Sequence, residues 1–168
     1  AANLAVTLAQ AEGLVFWEAA SLADYGHILL GMGRISDAEE SLQRSRALFE
    51  SSGSSYGLSI AFTGLSQVRI AEGNHWQARL DAVSAVELAR QDGDKVAEAS
   101  ALIVLGNAQA ELEMWRAAEE SQRLAVDITT RSGLRWQHAE ASGGLARSTA
   151  KLGRAGIVVD MIIQNAAH

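Results

Sequence analysis

The 168-residue chain contains no proline and no cysteine. Average usage would put proline at about 5%. Proline breaks helix interiors, so its absence fits a chain that is almost entirely helical. Without cysteine there are no disulfides, thiolate metal sites or cysteine nucleophiles, and the redox compartment stays open. Positive charge is also in deficit. The net charge of -6 argues against direct nucleic-acid binding, because phosphate requires a positive surface. No run approaches the roughly 18 apolar residues of a membrane helix. The opening segment AANLAVTLAQAEG lacks the basic region of a signal peptide. The expectation is a cytoplasmic protein with no membrane partner.

What the chain does have is a period. Gly13, Gly53, Gly93 and Gly133 recur at steps of forty, and Gly33, Gly73, Glu113 and Gly153 do so with one departure. Ala38, Ala78, Ala118 and Val158 form a small-residue column, and Leu8, Leu48, Leu88 and Ile128 an aliphatic one. A fixed period of this length is the mark of a repeat architecture. Each glycine stands where an apolar periodicity of 3.6 stops, the place where a left-handed residue closes a helix. Two glycine columns per period predict two helices per repeat. Helix A is expected over about 14–32, 54–72, 94–112 and 134–152, and helix B over about 35–52, 75–92, 115–132 and 155–167. Residues 1–13 would be the tail of a preceding helix B. The fold class is all-α: about four repeats of antiparallel helix pairs in one domain over 1–168, divided as 14–53, 54–93, 94–133 and 134–168, and read as a piece of a larger protein. Gly26, Gly106 and Ala146 on helix A, like Ala38, Ala78 and Ala118 on helix B, are small enough to admit a neighbouring helix.

The stretch LGNAQAELEMWRAAEE, Leu105 to Glu120, resembles the tetratricopeptide repeat, with the Leu-Gly pair of that family on helix A and its alanine early in helix B. The resemblance covers nearly the whole chain. The forty-residue period is similar to the longer form in sensor arms of bacterial LuxR-type (MalT-like) activators and in ATPase and cyclase regulators. FWEAASLADYGHILLGMGR, Phe16 to Arg34, looks most like those regulators. The resemblance implies a superhelix whose concave face is lined by helix A. Its inner positions read Ala20, Ile60, Ser100 and Glu140; Ala23, Thr63, Ile103 and Gly143; then His27, Gln67, Asn107 and Arg147. The last column is polar in every copy. It either holds the backbone of an extended peptide or is a solvated helix face.

Chemistry has few places to hide. His27, His75, His138 and His168 never stand four apart on one helix, as a zinc site on a helix would require. His75 is expected to cap a turn, and His27 and His138 to be surface or groove residues. No phosphate loop or nucleophile elbow occurs. The expectation is therefore no enzyme, no metal and no cofactor. Phe16, Tyr56, Val96 and Trp136 form an aromatic-rich column at the start of helix A. Those side chains are ligand platforms or, more economically, wedges against the preceding helix B.

The sequence thus points to a protein- or peptide-binding scaffold module of a bacterial regulatory or signalling protein. The alternative is a sensor arm for a small effector. Arg131, Arg135, Arg147, Lys151 and Arg154 stand against Glu140 alone, a local charge of +4, so an acidic ligand is expected toward the last repeat. The groove residues expected to bind are His27, Gln67, Asn107, Arg147 and Lys151, the last two four apart on one helix face. Both ends, AANLAVTLAQ and GIVVDMIIQNAAH, are apolar and suggest self-association or further repeats.

Overall fold

A computed structural model describes residues 14–166 together with Leu4 and Thr7, and side chains as far as Arg154. The chain forms α1 (Val15–Gly31), α2 (Ile35–Ser52), α3 (Ser55–Ala71), α4 (His75–Asp92), α5 (Lys95–Glu111), α6 (Trp115–Ser132) and α7 (Arg135–Ala166). There is no strand among the described residues. The expected helix tail over 1–13 lies outside the described residues, except that Leu4 and Thr7 are helical.

Six turns join these helices, and they share one closing device. Gly53, Gly93 and Gly133 take φ of 67°, 72° and 68° at the ends of α2, α4 and α6. The next amide in each case bonds back five residues: Ser54 to Phe49, Asp94 to Ala89 and Leu134 to Thr129, each at 3.0 Å. Arg34, Asn74 and Met114 do the same to Leu29, Arg69 and Gln109 at 2.8–2.9 Å. This satisfies carbonyls that the helix end would leave bare. Three helices also start on a side-chain cap. Ser54 accepts from the Gly57 amide, Asn74 from that of Gln77, and Asp94 from those of Val96 and Ala97. Asn74 therefore caps α4, and His75, expected in that role, is the first helical residue after it.

Consecutive helices pack pairwise. In addition α1 touches α3, α3 touches α5 and α5 touches α7, whereas α2, α4 and α6 do not touch one another. The odd-numbered helices therefore form a continuous inner layer and the even-numbered ones an outer, splayed layer. Buried serines bind the layers together. Ser45 donates to Ala19 O at 2.7 Å, Ser59 to Ala85 O at 2.9 Å and Ser66 to Ala78 O at 2.7 Å. Ala38, Ala78 and Ala118 are fully buried, as close helix crossings require.

Larger knobs need room. A Cβ on Gly26 or Gly64 would lie 2.6 Å from the buried Leu42 side chain. One on Gly106 or Gly144 would lie 2.5 or 2.6 Å from Gln122. Leu42 and Gln122 are eighty residues apart in the same column; between them stands Ala82, and the positions of the flanking glycines hold Ser66 and Val104. Volume lost from the knob is returned by its socket. The pair Gly143-Gly144 divides accordingly, since Gly144 admits Gln122 while Gly143 faces open space.

The final repeat departs from expectation. A break at Gly153 and a separate helix over 155–167 are predicted, yet α7 runs unbroken to Ala166. Gly153 does not take the left-handed conformation of Gly33, Gly53, Gly73, Gly93 and Gly133. Its neighbours Lys151, Leu152, Arg154 and Ala155 favour helix, and an interior glycine costs only about 1 kcal/mol. Ala146, aligned with Gly26 and Gly106, consequently admits no neighbour and is exposed.

Candidate functional site

The inner layer encloses a cavity of about 770 Å³. Four elements supply its wall. Asp24 and His27 come from α1, Tyr56, Ile60, Thr63 and Gln67 from α3. Asp94, Val96, Ser100 and Ile103 come from the start and middle of α5, and Trp136 and Glu140 from α7. The size and the mix of an apolar floor with a few polar groups are those of a ligand pocket. Ile103 and Thr63 are buried at the floor, while Tyr56 and Trp136 stand at the rim, 44% and 71% exposed.

The aromatic column is therefore divided. Phe16 packs edge-on at 5.7 Å against Phe49 of α2, the helix that follows it rather than one that precedes it. Tyr56, Val96 and Trp136 instead line the cavity, which corrects the more economical expectation that the column wedges helices throughout. Phe16 has Phe49 of α2 to lean on, whereas the other three face the cavity between the inner helices.

The polar column is also divided. His27 and Gln67 line the large cavity. Gln67 also lines a second, smaller cavity of about 260 Å³ together with Ile70, Asn107, Glu111 and Arg147. Gln67 thus borders both. Asn107 Oδ1 accepts from Gln122 Nε2 at 3.1 Å and from Arg147 Nη2 at 3.3 Å. Its oxygen is occupied within the fold, and the amide nitrogen is the group left to donate. Lys151 lies apart. Its Nζ sits 5.1 Å from the Trp115 ring centroid in a cation–π contact toward α6, and it lines neither cavity.

Electrostatics distinguish the two cavities. Burial, opposed by Asp24 and a Gln67 hydrogen bond, holds His27 below its ordinary value of 6.5, so it is neutral near pH 7. Burial alone pushes the Glu140 carboxyl up, and Glu140 has no hydrogen bond or ion pair among the described residues. His138 is outside both cavities, with Thr129 and Thr130 hydroxyls 3.3 and 3.2 Å from Nδ1. Among the described residues no group of three or more His, Asp or Glu is arranged to hold a metal ion. None of their helices is long and apolar enough to cross a membrane. Asp24 and Asp94 were missed by sequence reasoning, whereas Glu140 already stood in an inner-face column and Trp136 in the column for which a ligand platform was one of two readings.

No protein-family model matches the sequence, and no curated protein matches it. Solved structures do. A signal transduction ATPase with numerous domains (STAND) from Pyrococcus horikoshii, described as carrying a tetratricopeptide repeat sensor, superposes with a TM-score of 0.67 at 15% identity. The match covers 82% of this chain and 22% of that protein, so the chain spans about a fifth of that protein's length. The likeness establishes the fold: a tetratricopeptide-like superhelix of antiparallel helix pairs.

Proposed function

We propose that the chain is a ligand-binding module of a larger regulatory protein, in which the inner layer of helices recognises an extended peptide segment of a partner. The observation that carries this reading is the pair of cavities that share Gln67 in their walls and draw the rest from α1, α3, α5 and α7. An extended chain can place successive side chains in both while donors such as Asn107 meet its carbonyls. The sensor role in the description of the Pyrococcus protein supports a regulatory setting. On this reading the parent is a cytoplasmic bacterial regulator of the forty-residue repeat type, and the module binds without catalysing a reaction.

A second reading, a small effector held in the large cavity, is favoured by its volume, which falls within the roughly 300–1,000 Å³ of small-molecule sites. Panning a displayed library of random peptides on the full chain decides between them. Peptide binders should be lost on Ser100→Trp or Ile60→Trp, each of which fills the cavity, and retained on Arg123→Ala, which alters the exposed side of α6. Binders that survive both cavity fillings would overturn the groove reading. A library that yields no peptide, with small molecules raising Tm only when Ser100 is intact, would establish the effector reading instead.

A further inference from the structure

The basic stretch of the sequence and the large cavity do not coincide. Asp24, Asp94 and Glu140 line that cavity, and no lysine or arginine is among its described lining residues. Arg147 belongs to the smaller cavity, where Glu111 accompanies it, and Lys151 is turned toward Trp115. The three carboxylates come from α1, the N-cap of α5 and α7, so they are spread around the wall rather than gathered in one cluster. Their nearest potential offset, His27, is neutral near pH 7 because burial lowers its proton affinity.

Two of these wall groups lack something. Glu140 is half-buried with no hydrogen bond or ion pair among the described residues, so its charge is desolvated without compensation. Trp136, one turn earlier on the same helix, offers an indole that is 71% exposed at the rim. A carboxylate beside an aromatic face is the combination that holds an ammonium or guanidinium group: the one pairs the charge and the other meets it through the ring quadrupole. Apolar floor residues such as Ile60 and Ile103 suit the methylene stem of a long basic side chain.

We propose that the large cavity receives a lysine or arginine side chain from the bound peptide, its charge met by Glu140 and its head flanked by the Trp136 ring. This rests on the peptide reading of the groove and reverses the polarity that the stretch from Arg131 to Arg154 suggests. A peptide is the occupant, rather than a free amine, because Gln67 borders both cavities, so that one extended chain can fill the two together. The chain that delivers the basic side chain has a path onward to Asn107.

The test uses the peptides whose binding is lost on Ser100→Trp or Ile60→Trp. Their sequences should be enriched in lysine or arginine at one position. Glu140→Gln should weaken such a peptide by about tenfold, the scale of one charge-assisted hydrogen bond, and Trp136→Ala should weaken it further. Without peptide, Glu140→Gln should raise Tm by about 1–4 °C, because an unpaired, desolvated carboxylate is removed. A merely structural Glu140 would not combine tighter folding with weaker binding. Groove-dependent peptides that are acidic or neutral would overturn the proposal while leaving the groove reading intact. Affinity unchanged in Glu140→Gln would do the same. Spermidine binding as tightly as the best peptide would assign the cavity to a free amine. A library with no peptide sensitive to the cavity-filling variants would remove the groove reading itself, a different and recognisable failure.

Discussion

Glu113 sits at φ 57° where the first two repeats place Gly33 and Gly73. Its backbone makes the same closing turn, with the Met114 amide bonding back to Gln109 at 2.9 Å. The side chain crowds the following carbonyl in that conformation, at a cost of about 1–2 kcal/mol. Glu113→Gly should therefore stabilise the protein by about 0.5–1 kcal/mol, since glycine's larger unfolded-state entropy takes back part of the gain. A urea denaturation midpoint raised at constant slope would show it; an unmoved midpoint would mean the strain is absorbed elsewhere. His27 gives a residue-scale prediction in pH. Its folded pKa lies below its ordinary value, so the unfolded chain binds the proton more readily. Its contribution to stability is complete above 6.5 and is lost as pH falls from there toward the folded value. Asp81 and Glu140, both pushed up by burial, act with the opposite sign at lower pH. The difference between parent and His27→Gln isolates the histidine: the parent should lose more stability between pH 7 and 5. Parallel pH curves would place His27 in contact with water.

At the scale of the element, the helices and their ends were legible because their causes are local. A run with period 3.6 followed by glycine needs no partner to be read, and Gly53, Gly93 and Gly133 close α2, α4 and α6 as expected. Gly153 was misread because column membership was taken for conformation, while its own neighbours favour continued helix. The cavity wall was only partly legible. Whether Tyr56 and Trp136 wedge a helix or face a groove depends on how far apart the inner helices stand, and no single helix encodes that. The compensation between knob and socket was likewise invisible to a search for uniform columns: it alternates, with Leu42 between glycines, Ala82 between Ser66 and Val104, and Gln122 between glycines again. Ala82 is fully buried, so Ala82→Leu should cost about 1–3 kcal/mol by overpacking. Combined with Val104→Gly, the loss should fall short of the sum of the single losses by about 1 kcal/mol. Strict additivity in denaturation would show that the two positions do not share a socket. Ala78→Leu and Ala118→Leu should cost a similar 1–3 kcal/mol, because no glycine opposite them is free to receive the added volume.

The whole molecule is a stack in which each helix touches only its near neighbours along the chain. Stability in such an array is the sum of local terms and nearest-neighbour interfaces, so it should be greatest where a helix is covered on both sides. α5 is that helix. Eleven of its seventeen residues are buried, against five of seventeen in α1, and α3, α4, α6 and α7 all pack on it. α7 lacks a following partner over its described length, and Ala139, Gly143 and Ala146 along it are exposed. Amide hydrogen exchange should therefore be slowest in α5 and rise stepwise toward α1 and α7. Uniform protection from α1 to α7 would mean that the stack opens only as a unit, against the nearest-neighbour picture. The groove adds a consequence. Its wall draws on α1, α3, α5 and α7 together, so a ligand seated there binds only when the outer repeats are docked on the central one. By mass action it stabilises that docked state, by about 2.7 kcal/mol at a hundred times its Kd. Protection should then increase most in α1 and α7, where opening is easiest, and least in α5. A ligand that slows exchange in α5 alone would be touching one repeat, not bridging the stack.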